Sequence, residues 1–401
     1  MTKRIVRPNG KLTLISCAMI SMAAASYPAR AANPCVNPGG TAGCSSTISA
    51  AVAAASAGSV IQVAQGVYKE SVVINKTVLL IGDGGKSVID ATGKSTGIFI
   101  DGTASAPNIG VSGVVISGFT VKNANFEGIL AANAGGLTIS GNTLYNNNLG
   151  LVPGENASCP NLPAFETNEG EDCGEALHLM GVDHSVISNN DIENNAGGIL
   201  ISDETGPNNN NLITGNTVAN NPYDCGITLA SHARAPGLGT GLNFGVFRNT
   251  VSHNVARHNG YLGAGAGVGI YAPGPGSTAS GNLVIDNVLT DNGLGGITMH
   301  IHAAPGVNGV PAQAPAPNLS DNAIVGNEIS GNSGDFDDPN SPGATGISIV
   351  AVGPVVGTVI SENTFSMEVA DIVFGAPAGT IEAHLNNFSR TGMGAYAEAA
   401  G

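Results

Sequence analysis

Two adjacent acids, Asp203 and Glu204, close the segment Gly197-Gly-Ile-Leu-Ile-Ser-Asp-Glu-Thr-Gly206, and a third, Asp224, immediately precedes Cys225-Gly-Ile-Thr-Leu-Ala-Ser-His232. Carboxylates that share a cleft can part into a proton donor with a raised pKa and an ionised partner, as glycoside hydrolysis requires. Glu204 and Asp224 are the expected pair, Asp203 their support, and one of them is expected to stay protonated near neutrality. The histidines His178, His232, His300 and His302 form a second constellation. An imidazole there could act as general base beside Tyr271 or ligate a metal. His300-x-His302 places two rings on one strand face, but the spacing fits no zinc signature. No metal and no cofactor are therefore assigned, with calcium or a transition metal the minor alternative. Tyr271, Tyr223 and Phe244 offer faces on which a sugar could stack. Thr228, Thr298, His300 and His302 offer hydrogen bonds, and Arg234 is, with Arg257, one of few nearby cations. The plainer alternative is a solvated acidic turn and a polar surface.

These residues ride on a repeated element. Ile199 and Ile201 alternate with Leu200 and Ser202, the period of a strand. The same pattern recurs in Glu175–Met180, Cys225–His232, Gly267–Tyr271, Gly295–His302 and Gly346–Ile349. One strand repeated along a chain signals a solenoid. Ile129, Leu177, Ile199, Ile227, Val268, Ile297 and Ile347 align as inward residues. Leu130, His178, Leu200, Thr228, Gly269, Thr298 and Ser348 then point outward. Two positions on come Met180, Ser202, Ala230, Tyr271 and His300, and beyond them Glu204, His232 and His302. Glu204, His232 and His302 should thus share one exposed outer face. Insertions at Leu151–Cys173, Ala233–Arg248 and Ala303–Asn318 would wall that face into a cleft, because loops of such length in compact arrays are usually functional.

Composition bounds the class. Gly is 58 of 401 residues, aromatics are 4% and Trp is absent, so thin layers suit this chain better than one large core. Residues 1–31 read as a cleaved export signal, with Lys3, Arg4, Arg7 and Lys11 before an apolar run and an Ala29-Arg-Ala31 cleavage site. The run is too short for a membrane span. Leu14-Ile-Ser-Cys17 resembles a lipoprotein box but lies inside it. A secreted or periplasmic chain beginning at Ala32 keeps 9 of the 14 basic residues and all 29 acids, so 9 − 29 gives −20. Nucleic acid is a poor partner for that surface. Export permits disulfides; Cys35–Cys44 and Cys159–Cys173 are local candidates with the pairing open, and Cys225, the odd one, reads as a small buried residue.

Ser45–Ala57 is the one convincing helix, with Ser/Thr caps and a Gly58 stop, placed to cap a stack of strands. Val60–Val63, Gly66–Tyr68, Val72–Ile74 and Val78–Ile81 follow. The run Val60-Ile-Gln-Val-Ala-Gln-Gly-Val-Tyr68, with Glu70, Lys76 and Leu79-Leu-Ile-Gly82, resembles the N-terminal part of pectin-lyase-like right-handed parallel β-helix proteins. Gly141-Asn-Thr143, Gly215-Asn-Thr217, Gly281-Asn282, Gly326-Asn327 and Glu362-Asn-Thr364 resemble the repeats of that superfamily. The resemblance covers roughly residues 45–390 and implies an all-β, single-stranded right-handed parallel β-helix. It does not imply one activity, because lyases, hydrolases, epimerases, esterases and non-enzymes share the repeat. The expected organisation is a signal at 1–31, an N-terminal segment and capping helix at 32–58, the β-helix at 59–390 and a tail at 391–401. The repeated asparagines should point inward and bond their copies in the next coil. The expected function is an exported enzyme cleaving a polysaccharide or oligosaccharide, by carboxylate-driven hydrolysis first and by uronate lyase or epimerase chemistry next. A non-catalytic glycan-binding or copper-binding protein is the rival of another class.

Overall fold

The computed structural model describes residues 34–152, 174–307, 309–375, 379–389 and 392–397. The expected signal at 1–31, the Cys159–Cys173 pairing and nearly all of the insertion before Gly174 lie outside them. Among the described residues the chain winds into three long parallel sheets of 12, 10 and 11 strands, each strand pairing with its copy one coil away. This is a right-handed parallel β-helix, the hand that parallel crossovers take. Gly66–Tyr68, Val72–Ile74 and Val78–Ile81 are strands as expected, and the helix spans Ile48–Ala54. Thr47 caps it, Oγ1 accepting from the Ala50 amide, and Ile48, Ala51 and Val52 bury against the first coil. Glu70 accepts from the Ile48 and Ser49 amides at 2.8 and 2.9 Å, so a carboxylate sits where the helix dipole favours it. Strand Met393–Ala397 pairs with Ala370–Gly375, so the stack continues past the expected boundary at 390. No helix here is long and apolar enough to cross a membrane. Cys35 and Cys44 are bonded, and Cys225 is free and buried.

The asparagines act as expected. Asn142, Asn190, Asn216, Asn254, Asn287, Asn327, Asn363 and Asn386 form one ladder, each Nδ2–H donating to the next Oδ1 at 2.9–3.0 Å. Each also draws a backbone N–H from the residue stacked on it, as where Asn190 donates to Asn216. The preceding residue is left-handed every time, for instance Gly141 (φ 64°), Asn189 (54°) and His253 (55°). Glycine, or a residue that tolerates this region, therefore stands there. A second ladder, Asn147 through Asn332, ends on Glu368, whose Oε1 accepts from Asn332 at 3.0 Å.

In the sheet that carries the candidate residues, the expected register is the observed one. Leu177, Ile199, Ile227, Val268, Ile297 and Ile347 are partners in succession, as are His178, Leu200, Thr228, Gly269, Thr298 and Ser348. The first set fills the core and the second faces outward, outside it. The outer face differs from expectation in one respect: it is not open to solvent. His178, Ser202, Glu204, His232 and His300 are all nearly inaccessible, and only His302 is half exposed.

Candidate functional site

The outer face of strands Ile227–Ala230, Val268–Tyr271 and Ile297–Ile301 floors a cleft of about 220 Å³. Thr228, Ala230 and Tyr271 form its base; Asp224, Ala264 and Leu294 close one end; His232, Pro273, His300, His302 and Asp337 form the other. Among the described residues no Lys or Arg lines it.

The floor depends on a missing side chain. Gly269 holds the outward position beside Tyr271, and a Cβ there would fall 2.5 Å from the Tyr271 ring. Without it the ring lies along the sheet. The Tyr271 hydroxyl reaches Thr298 Oγ1 at 2.7 Å and Cys225 Sγ at 3.3 Å, and the Cys225 sulfur also accepts from the Ala266 amide at 3.1 Å. Burial pushes the Tyr271 hydroxyl well above its ordinary pKa, with the nearby Cys225 adding to the rise. Burial, then the Asp224 charge, does the same to the Cys225 thiol. Tyr271 is thus a platform with a tethered hydroxyl, and Thr298 holds that tether.

Asp203 and Glu204, adjacent in sequence, have different employments. Asp203 accepts from Ser231 Oγ at 3.0 Å, from the His232 amide at 2.7 Å and from the Gly245 amide, fastening the loop after one strand to its neighbour. Burial and the charge of Glu204 push Asp203 up to about 7. Glu204 turns the other way. Its Oε1 meets His232 Nδ1 at 2.8 Å, and its Oε2 accepts from Ser202, whose hydroxyl lies 2.8 Å from His178 Nε2. Burial alone would raise Glu204, but pairing with His232 outweighs it and brings the carboxyl down to about 2. Glu204 is therefore an ionised buried group behind His232, and His178 stands one hydroxyl further back. Neither acid lies on the solvated turn that the plainer reading would require.

The expected Glu204–Asp224 pair is not formed. Asp224 precedes strand Ile227–Ala230 and Glu204 follows the adjacent Ile199–Ser202, so they occupy opposite margins of the sheet. The four-residue strand between them spans roughly 10 Å. Asp224 instead converges with Glu175, a residue that sequence reasoning passed over. A Cβ on Gly197 would meet Asp224 Oδ2 at 3.2 Å and Glu175 Oε1 at 3.3 Å. Two expected substrate contacts also have other roles. Arg234 donates to the Leu242 and Leu238 carbonyls at 2.8 and 3.3 Å, its guanidinium 4.2 Å from the Phe244 ring centroid, so it braces its own loop. The Tyr223 main chain lies against Gly263, and Tyr223 is absent from the lining.

At the far wall His300 Nε2 meets Asp335 Oδ2 at 2.8 Å, and His300 Nδ1 and His302 Nε2 each lie 3.3 Å from Asp337 Oδ2. Burial would lower the His300 pKa, but the hydrogen bonds to Asp335 and then Asp337 carry it up to about 9. The hydrogen bonds from His300 and His302 hold Asp337 well below the usual carboxylate range. Asp335 and Asp337 are the second omission of the sequence reading. The acid-rich run Asp335-Phe-Asp-Asp338, placed just before the next strand, was the available signal.

Residues 93–239 match the family model described as "Right handed beta helix region". No curated protein matches the sequence. Among solved structures, the chain is similar to Geobacillus virus E2 ORF18, with 13% identity and a TM-score of 0.56 over 86% of this chain and 58% of that one. It is also similar to the A-module of an Azotobacter vinelandii mannuronan C-5 epimerase, with 14% identity, a TM-score of 0.48, and 86% and 90% of the two chains covered. The surface protein and adhesin PfbA of Streptococcus pneumoniae aligns at 13% identity, TM-score 0.47, over 84% and 91%. These likenesses are of fold, and a fold does not carry an activity.

Proposed function

We propose that the cleft is an acid–base site acting on an acidic polysaccharide or oligosaccharide, abstracting the proton beside a uronate carboxylate. The observation that carries this reading is His232 in the cleft wall with ionised Glu204 bonded to its Nδ1. A carboxylate behind an imidazole fixes its tautomer and stabilises the imidazolium formed on proton uptake. With Nδ1 so engaged, Nε2 is the nitrogen through which His232 exchanges a proton with the cleft. Tyr271 presents the flat face on which a sugar ring stacks, and Thr228 lies beside it. Taking the proton from the carbon next to the carboxylate leaves an enolate. Expulsion of the neighbouring glycosidic oxygen, which leaves with a proton, completes a lyase reaction. Return of a proton to the opposite face completes an epimerase reaction.

This reading reverses the order expected from sequence. Hydrolysis needs two carboxyls acting together on the sugar, whereas Asp224 in the cleft is parted from Glu204, Glu204 is ionised behind His232, and Asp203 is spent on the Ser231, His232 and Gly245 donors. We also read the chain as exported; the Cys35–Cys44 disulfide is compatible with an oxidising compartment. The test is a panel of uronate-containing and neutral glycans. Ultraviolet-absorbing unsaturated ends, or a changed uronate composition, are expected from the acidic polymers only. New reducing ends without either change would return hydrolysis to first place, and binding without turnover would make the protein a glycan binder.

A further inference from the structure

We infer that His300, His302 and Asp337 form a binding site for one divalent transition-metal ion of the zinc type. Three donor atoms, His300 Nδ1, His302 Nε2 and Asp337 Oδ2, stand in a nearly equilateral triangle. Their separations are 3.3 Å from each nitrogen to the oxygen and 3.4 Å between the nitrogens. Bonds of about 2.0–2.1 Å at tetrahedral angles require neighbouring donors about 3.4 Å apart. The spacing of the three donors therefore suits one ion, and the fourth position of the tetrahedron remains for water or substrate.

The surroundings match. Asp335, fully buried, takes the other nitrogen of His300 at 2.8 Å, the carboxylate–histidine arrangement that orients a ligating imidazole and raises its basicity. Two imidazoles with one carboxylate favour zinc, copper, cobalt or iron over calcium and magnesium, which prefer oxygen. The two outer ligands are about half exposed, His302 at 50% and Asp337 at 53%, which gives an ion a way in. All three ligands line the same cleft as His232 and Tyr271. An ion there would supply positive charge to a wall that has no Lys or Arg among the described residues. The inference does not depend on the acid–base reading, since metal uptake is measured without any substrate. It departs from the expectation from spacing alone, in which His300-x-His302 fitted no zinc signature: Asp337 lies well along the chain, beyond the reach of a local motif.

The full chain, stripped with chelator and dialysed, is titrated with Co2+ and Zn2+ alone. One ion per chain is expected, with the strong visible absorption of tetrahedral Co2+, bleached by Zn2+ and unaffected by equimolar Ca2+. His302→Ala and Asp337→Asn each lower affinity at least 100-fold while melting like the metal-free wild type, because both side chains are half exposed. Asp335→Asn, which acts through His300, lowers affinity 10- to 100-fold. No uptake of either ion by the wild type overturns the site, as does uptake that survives both ligand variants. Displacement of Co2+ by equimolar Ca2+ overturns the assignment of metal class.

Discussion

At the corners of the coils one solution is repeated: an asparagine after a left-handed residue, bonded to the asparagine above and below. At the cleft margin no two coils carry the same group; the ladder reads Met180, Ser202, Ala230, Tyr271, His300, Val350. Both regions hold buried polar groups. From Asn142 onward the corner repeats its satisfied hydrogen bonds coil after coil, so it contributes stability and no distinctive chemistry. The margin instead sets buried carboxylates against histidines, as Glu204 with His232 and Asp335 with His300. A buried pair of that kind is weak evidence for stability, and its reactive geometry is the better reason for its presence.

The largest expected effect lies on the cleft side. Glu204→Gln should lower turnover on an acidic polymer about 10²- to 10⁴-fold, as removal of general acid–base assistance does. Sequence reasoning placed Glu204 on an exposed turn, where such a change would cost within about 0.5 kcal/mol. Buried and bonded to His232 and Ser202, it should cost on the order of 1–3 kcal/mol, so rates are compared where denaturation curves show both proteins folded. Equal turnover would remove Glu204 from the chemistry.

The corners should behave in the opposite way. Asn254→Ala deletes one rung and leaves buried donors and acceptors on its neighbours without their partner, a loss of about 1–3 kcal/mol per group. Urea unfolding should report it, with glycan turnover by the folded protein unchanged. A variant as stable as wild type would mean that the ladder is ornamental.

A smaller effect is expected at the floor. Gly269→Ala drives a methyl into the space of the Tyr271 ring and should weaken sugar binding several-fold, about 1 kcal/mol for one lost stacking face. Calorimetry with the preferred oligosaccharide measures it; unchanged affinity would show that the ring is not the platform.

The smallest is a pH effect at the end of a ladder. Burial raises the Glu368 carboxyl to about 7, offset in part by its bonds from Asn332. A carboxyl raised above its unfolded value of 4.5 stabilises fully below that value, and the contribution disappears as pH rises through about 7. Glu368→Gln, neutral throughout, should therefore gain relative to wild type between pH 5 and pH 8. Parallel melting curves for the two proteins across that range would contradict it.

The same contrast explains what was legible from sequence. Ile199, Ile227 and Val268 could be aligned because a core position tolerates only similar apolar side chains, and a one-residue slip would have turned every one of them outward. The Gly-Asn-Thr corners were legible because a left-handed residue and a buried amide recur from coil to coil after Gly141. The cleft residues recur in no repeat. Register alone put His178, Tyr271 and His300 on the right face, yet it carried no information on what would cover that face or on which loop residues would return to it. Asp337 meets His302 from a distant loop, and Asp224 parts from Glu204 because they flank opposite ends of neighbouring strands. Both facts belong to loop paths, which alternation does not encode.

In the proposed reaction His232, backed by Glu204, takes the proton beside a uronate carboxylate. Its most direct test runs wild type and His232→Ala on an acidic polymer in D2O, with products read by NMR and mass spectrometry. The wild type is expected to yield either unsaturated chain ends or deuterium at the carbon beside the carboxylate, and His232→Ala neither. New reducing ends with no unsaturation and no deuterium, or full retention of the signal in His232→Ala, would contradict the claim.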